Sequence, residues 1–230
     1  MTLPLVIIRG EPGASRTLAA AHEAGIDAQA FPLFEAQSLA WEPVDPARYD
    51  ALLIGSANAV RHGGSALEGL QGLPVYAVGQ ATAEAARAAG FEVAHTGSGG
   101  LQNVLDGLGS EPPLRLLRLA GEKHVPLAPP PRTRMDTRVV YRIEDRPFPS
   151  ALTELLQGGA VVALHSAEAA LHFRSECERA QSDLSRIALA VIGPRVAAAA
   201  GPGWASVNSA STPDDAALLA LAQGMCQTAV

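Results

Sequence analysis

Residues 52–60 read Leu-Leu-Ile-Gly-Ser-Ala-Asn-Ala-Val, and residues 75–90 read Val-Tyr-Ala-Val-Gly-Gln-Ala-Thr-Ala-Glu-Ala-Ala-Arg-Ala-Ala-Gly. Both have counterparts later in the chain. Residues 161–170 read Val-Val-Ala-Leu-His-Ser-Ala-Glu-Ala-Ala, and residues 189–201 read Leu-Ala-Val-Ile-Gly-Pro-Arg-Val-Ala-Ala-Ala-Ala-Gly. In each half an apolar run ends in Ser-Ala, and a second ends in Val-Gly or Ile-Gly before an alanine-rich helix. Ser56 and Ser166 lie 110 residues apart, Gly79 and Gly193 114 apart. That period exceeds a solenoid repeat and suits two copies of one domain. Short Val/Ile/Leu runs alternating with helical stretches predict βα units around a parallel sheet.

Working outward, residues 5–9 predict a strand, about 15–24 a helix stopped by Gly25, and 28–34 a second strand. Four further strand signals follow at 51–55, 74–78, 92–95 and 114–119, with a helix expected over 101–108. The last of them, Leu-Leu-Arg-Leu-Ala-Gly-Glu, resembles the opening Val-Ile-Ile-Arg-Gly-Glu, so the middle segment carries the domain in permuted order. Insertion explains this economically. Domain one is expected over 1–33 and 147–230, domain two over 41–137, and two hinge strands over 34–40 and 138–146. The fold expected is therefore α/β: two similar parallel-sheet domains, one inserted in the other, with a cleft between them. Stacked prolines make 126–134 an extended surface loop.

Composition narrows the function. Apolar residues make up 48% and aromatics 4%, so the core is mostly Ala, Leu and Val. Two cysteines in no CxxC arrangement point to a reducing, cytoplasmic setting, with Cys177 on an apolar helical stripe. The first residues carry neither a basic segment nor a cleavage site, and no apolar run approaches the roughly 18–20 residues of a membrane span. The net charge of −6, with scattered arginines and one lysine, argues against nucleic acid as a partner. No P-loop, GxGxxG or GxSxG follows a strand, and the six histidines show no metal-ligand spacing. Gly97-Ser-Gly-Gly100 is read as a turn capped by Ser98 or a glycine rather than as an anion cradle.

Ser56 and Ser166 each end a strand and open a helix, where a hydroxyl N-cap is the local expectation. The same places are where open α/β sheets bind ligands, because helix N-termini present unpaired N–H groups there. Ser56, Ala57 and Asn58, Gly79 and Thr82, Ser166 and Ala167, and Gly193 and Arg195 all fall on that edge. Arg9 and Gly121 close the matching strands beside them. Tyr141, in Arg138-Val-Val-Tyr-Arg-Ile143, is either a strand tyrosine packing beside the hinge or a group facing a ligand at the cleft mouth.

These segments resemble the uroporphyrinogen-III synthase family: residues 49–60, 74–83, Ala89-Gly90-Phe91, Val139-Val140-Tyr141-Arg142, the opening Arg9-Gly-Glu-Pro-Gly-Ala, and the later Ser-Ala and Ile-Gly-Pro stretches. The resemblance runs over essentially the whole chain. It implies two α/β domains joined by a two-stranded ladder and a lyase reaction without cofactor or metal. Linear hydroxymethylbilane loses water and closes to uroporphyrinogen III with ring D inverted. Tyr141 matches the family tyrosine proposed to protonate the departing hydroxyl, a role open to phenols, which keep their proton at neutral pH with a pKa of about 10. The substrate carries eight carboxylates for the Ser-Ala and glycine loops to meet. The expected partner is hydroxymethylbilane, handed over by hydroxymethylbilane synthase to a monomer. The chain departs from the family in carrying Val196 where a threonine is usual, with Arg195 beside it as a substitute contact, and in replacing a helix by the proline loop 126–134. The alternatives are a non-catalytic two-domain protein closing on a small anion such as a sugar phosphate, and an inactive synthase-like domain.

Overall fold

The computed structural model describes residues 2–108 and 114–228. It divides into two compact units: residues up to Glu35 together with Asp145 onward, and the continuous stretch Ala36–Glu144. Both are mixed α/β units built on largely parallel sheets, the fold class the alternating pattern predicts.

In the first unit, β1 (Leu5–Ile7), α1 (Gly13–Glu23) and β2 (Ala28–Ala30) open the chain. Residues 28–34, read as one strand, belong to two elements. β2 stops at Ala30, and β3 (Phe34–Ser38) begins in the other sheet. Pro32, between them, has no N–H for a ladder. The second unit continues with β4 (Ala51–Ile54), α2 (Ala57–Arg61), β5 (Val75–Val78), α3 (Gln80–Ala88), β6 (Val93–Gly97), α4 (Leu101–Gly107), β7 (Arg115–Gly121) and β8 (Arg134–Asp145). The chain returns through α5 (Ser150–Gln157), β9 (Ala160–Leu164), α6 (Ala167–Arg179), β10 (Ile187–Val191), α7 (Pro194–Ala200), β11 (Ser206–Ser209) and α8 (Asp215–Thr228).

The first sheet has the order β11-β10-β9-β1-β2, every neighbouring pair parallel. The second has the order β3-β8-β7-β4-β5-β6, parallel from β8 to β6. β3 runs against β8, since Leu39 N donates to Val140 O (2.9 Å) and Arg146 N to Leu33 O (2.8 Å). Without β3, the two sheets share one plan, with β8, β7, β4, β5 and β6 occupying the places of β2, β1, β9, β10 and β11. The last strand pair of the second unit in sequence therefore does the work of the first pair of the other, the permutation expected from the Arg-Gly-Glu and Ala-Gly-Glu endings.

Every residue of β4, β9 and β10 is buried, because helices cover both faces of a parallel sheet. Val6 and Ile8 pack with α5, α6 and α7 on one face of the first sheet, and Leu5 and Ile7 with α1 and α8 on the other. Phe173, fully buried, stacks on Trp204 with ring centroids 5.7 Å apart. Glu176 is also buried. It accepts from Phe148 N (2.8 Å) and Arg179 Nε (2.9 Å), and the Arg179 hydrogen bond in particular holds its carboxyl below the usual range. Burial pushes the Cys177 thiol up to about 12 and the Cys226 thiol up to about 11, so both act as small core residues. No helix among the described residues is long and apolar enough to cross a membrane.

Candidate active site

In the second unit the ends of β4, β5 and β7 meet at the carboxyl edge of the sheet, beside β8, which runs on past it. β4 ends into Gly55-Ser56, and the Ser56 hydroxyl accepts from Asn58 N at 3.2 Å, the N-cap its position predicts. β5 ends at Gly79, whose φ of +77° is one that side chains rarely adopt. Its carbonyl accepts from Thr82 N at 3.2 Å, and the Thr82 side chain is buried. β7 ends at Gly121. β8, beside it, brings Tyr141 into register with Gly121 across an irregularity in the ladder. A Cβ on Gly121 would fall 2.7 Å from Tyr141 Cζ and 2.9 Å from its hydroxyl, so the phenol lies against bare backbone. Tyr141 is thus a member of the second sheet, held by pairing on both sides of β8.

Ser56, Gly121 and Tyr141 line one cavity of about 490 Å³, with Gly100, Arg118, Lys123 and His124. No Asp or Glu stands among its described lining residues, although the chain is acidic as a whole. Ala57, Asn58, Gly79 and Thr82 occupy the adjoining turns rather than this lining. Residues 123–127 also line the cavity, leading into the proline loop 126–134 and following β7 where α1 follows β1 in the first unit. Gln102 clamps the loop, its Nε2 donating to Ala128 O (2.9 Å) and its Oε1 accepting from Ala128 N (3.0 Å). The His62 ring lies 6.4 Å from that of Tyr141 between centroids. Burial, reinforced by neighbouring Arg61, holds His62 below the ordinary histidine range, so it is neutral at pH 7. Ser98 does not cap α4, whose N-cap is Gly100 without a side-chain bond. Asn103 Nδ2 instead reaches the Ser98 carbonyl, at 3.4 Å.

The first unit presents the matching edge. The Ser166 hydroxyl accepts from Ala169 N at 3.0 Å, with Ala167 opening α6. Gly193, preceding α7, has a φ of 177°, extended backbone open to any residue. Its conformation therefore does not explain the glycine as it does at Gly79. Arg195 is exposed, and Val196 is buried in the core. Arg9 is committed locally. Its Nη1 donates to both Asp215 oxygens (2.8 and 2.9 Å) and to Thr17 Oγ1 (3.2 Å). Asp215 also accepts from Thr17 Oγ1 (2.9 Å) and His165 Nε2 (3.0 Å). An ionised acceptor fixes the proton of His165 on Nε2 and leaves its buried Nδ1 without a partner.

The His165 hydrogen bond, followed by the charge of Arg9, holds Asp215 well below the usual carboxylate range against the opposing effect of burial. A carboxyl depressed in the folded state stabilises it above its unfolded value of about 3.9 and loses that contribution as pH falls towards the lower folded value. Asp215→Asn is therefore expected to cost about 1 kcal/mol at pH 7, discounted for the partial exposure of the side chain. In denaturant titrations the gap to the unaltered protein should narrow from pH 4 to pH 2. A gap constant with pH would show that the charge does not matter.

Known proteins share this fold. The family model described as uroporphyrinogen-III synthase HemD matches residues 15–220. The solved uroporphyrinogen-III synthetase of Helicobacter pylori 26695 is 18% identical, with a TM-score of 0.66 over 97% of this chain and 99% of its own. A mutant uroporphyrinogen III synthase from the extremely thermophilic bacterium Thermus thermophilus is 19% identical, with a TM-score of 0.52 over 97% of this chain and 98% of its own. No curated protein sequence matches. At these identities the solved structures speak for the fold, and the family model for the family.

Proposed function

This chain belongs to the uroporphyrinogen-III synthase family, whose reaction closes linear hydroxymethylbilane into uroporphyrinogen III in porphyrin biosynthesis, and we propose that Tyr141 is its proton donor. The observation that carries this reading is a phenol resting on Gly121 inside a cavity with cationic residues and no described acid in its lining. The Tyr141 hydroxyl protonates the substrate's hydroxyl, which leaves as water, and the exocyclic carbon of the resulting azafulvenium cation is attacked by the substituted carbon of ring D. The spiro intermediate breaks and recloses, and the proton released on closure restores the phenol. His62, neutral at pH 7, adds no positive charge beside the developing cation. The remaining contribution is positional: holding the flexible bilane for attack at the disfavoured carbon can supply roughly 7–11 kcal/mol.

The internal repeat supports giving this role to one unit alone. Gly10 stands in the first unit where Gly121 stands in the second, and a Cβ there would meet Phe34, 2.8 Å from its carbonyl oxygen. Phe34 follows Ala30 by as many residues as Tyr141 follows Thr137, and Ala30 and Thr137 are paired partners of equivalent positions, Ile7 and Arg118. The equivalent position in the duplicate is thus Phe34, which meets Gly10 through its backbone and Cβ and carries no hydroxyl. Substrate carboxylates are assigned to Ser56, Ala57, Asn58, Gly79, Thr82 and Gly121 in the second unit, and to Ser166, Ala167, Gly193 and Arg195 in the first. Charge-assisted bonds of this kind contribute about 1.5–3 kcal/mol each. Arg9 serves through its bridge to Asp215. The reading is completed by a cytoplasmic monomer taking its substrate from hydroxymethylbilane synthase, and the two buried free cysteines accord with a reducing compartment.

Supplying hydroxymethylbilane and separating the porphyrin isomers by chromatography tests the assignment. Isomer III above the spontaneous background is expected. Isomer I alone, formed at the uncatalysed rate, would refute it.

A further inference from the structure

The least explained group in the second unit is the guanidinium of Arg118. It lies in the middle of β7 and is 4% exposed. Burial alone lowers its pKa from the ordinary arginine value, and no carboxylate forms an ion pair with it among the described residues. Its Nη1 donates to Val125 O at 2.9 Å, while its Nε is buried without any partner. A buried, charged donor left unmet is costly, so an arginine persists in such a place when something absent from the free protein accepts from it.

The fold itself does not ask for this arginine. Ile7 and Arg118 both stand three residues before the equivalent glycines, Gly10 and Gly121, and Ile7 is fully buried in the core of its own sheet. One architecture therefore holds an aliphatic side chain in one unit and a charged one in the other. The difference coincides with the replacement of a helix by the proline loop, which leaves open the cavity that Arg118 lines together with Ser56, Lys123 and Tyr141.

We propose that Arg118 is a carboxylate anchor of the substrate site, receiving one acidic side chain of the bilane on its Nε/Nη2 edge while Nη1 stays on Val125. The geometry selects this edge. Nη1 is held by the loop, and the adjacent Nε and Nη2 form the side-on fork that binds both oxygens of one carboxylate. The cavity lining offers this guanidinium no competing described acid, and Lys123 adds a second positive charge. Arg118 thereby becomes a substrate-binding residue of the cavity that Tyr141 lines, an inference that rests on the function proposed above.

The test compares Arg118→Ile, which copies the twin position, with Arg118→Lys. Equilibrium binding of uroporphyrin III, an octacarboxylate, is followed by fluorescence, alongside steady-state kinetics and thermal melts. Arg118→Ile is expected to weaken uroporphyrin III binding by about 10–100-fold and to raise KM for hydroxymethylbilane similarly, with kcat within about threefold of the unaltered enzyme. Arg118→Lys should recover part of the affinity, because it keeps the charge and loses the fork. Binding and KM unchanged in both variants would overturn the proposal and leave Arg118 a strut for Val125, visible only as a lower melting temperature. Should Arg118→Ile not fold, the lysine variant decides: full affinity overturns the proposal, partial loss supports it. The unaltered enzyme is assayed for isomer III in parallel. Its failure there would remove the functional reading itself, which is a different result from an active enzyme indifferent to Arg118.

Discussion

Tyr141→Phe is expected to slow formation of uroporphyrinogen III by about 10²–10⁴-fold, the usual contribution of a positioned general acid. In free energy that is about 2.7–5.5 kcal/mol of transition-state stabilisation. Only the hydroxyl is removed, and the ring keeps its place against Gly121 and beside His62, so melting temperature and uroporphyrin III affinity should stay close to those of the unaltered protein. The loss then falls on kcat, because the bond to the departing oxygen strengthens as that oxygen leaves. A second signature is the isomer ratio. Once catalysis is slow, spontaneous closure competes and isomer I accumulates. Turnover within about twofold of the unaltered enzyme would strip Tyr141 of the acid role while leaving the family membership untouched.

Gly121→Ala should cost about 10²-fold in kcat for a different reason. The new methyl would sit 2.7 Å from Tyr141 Cζ, far inside van der Waals contact. The atoms it meets are the outer end of one ring on a strand, so the ring swings aside and β7 holds. Misplacing a reacting group by about 1 Å is enough for a loss of that order. The double variant Gly121→Ala/Tyr141→Phe separates this from simple damage to the sheet. If the methyl acts by displacing the hydroxyl, it adds little once the hydroxyl is gone, and the two losses are strongly non-additive. Multiplying losses would place the effect of the methyl elsewhere in the cavity.

Much of this can be read residue by residue. The Ser-Ala phrases place Ser56 and Ser166 as caps because an N-cap needs only a hydroxyl and the N–H groups two or three residues on. The Ala-Ala-Gly endings announce helix stops at Gly90 and Gly201, which take φ values of +85° and +66°. The permuted order of strand signals prefigures the shared sheet plan, because neighbouring strands with matching turns leave local marks. Where reading along the chain goes astray, at 28–34, a single proline divides a hydrophobic run between two sheets.

What a linear reading could not supply is the state of the charged groups. Arg9 looks free at the end of a strand, yet its partner, Asp215, is 206 residues away. Arg118 looks like one polar interruption in an apolar strand, and nothing near it in the chain reveals that its Nε is buried and unmet. The preference of a backbone for strand, helix or cap is set within a few residues, so it is written locally. Burial and pairing of a charge depend on every segment that folds over it, and here a loop, two strands and a distant helix decide which arginine is spent inside the fold and which is left to meet a ligand.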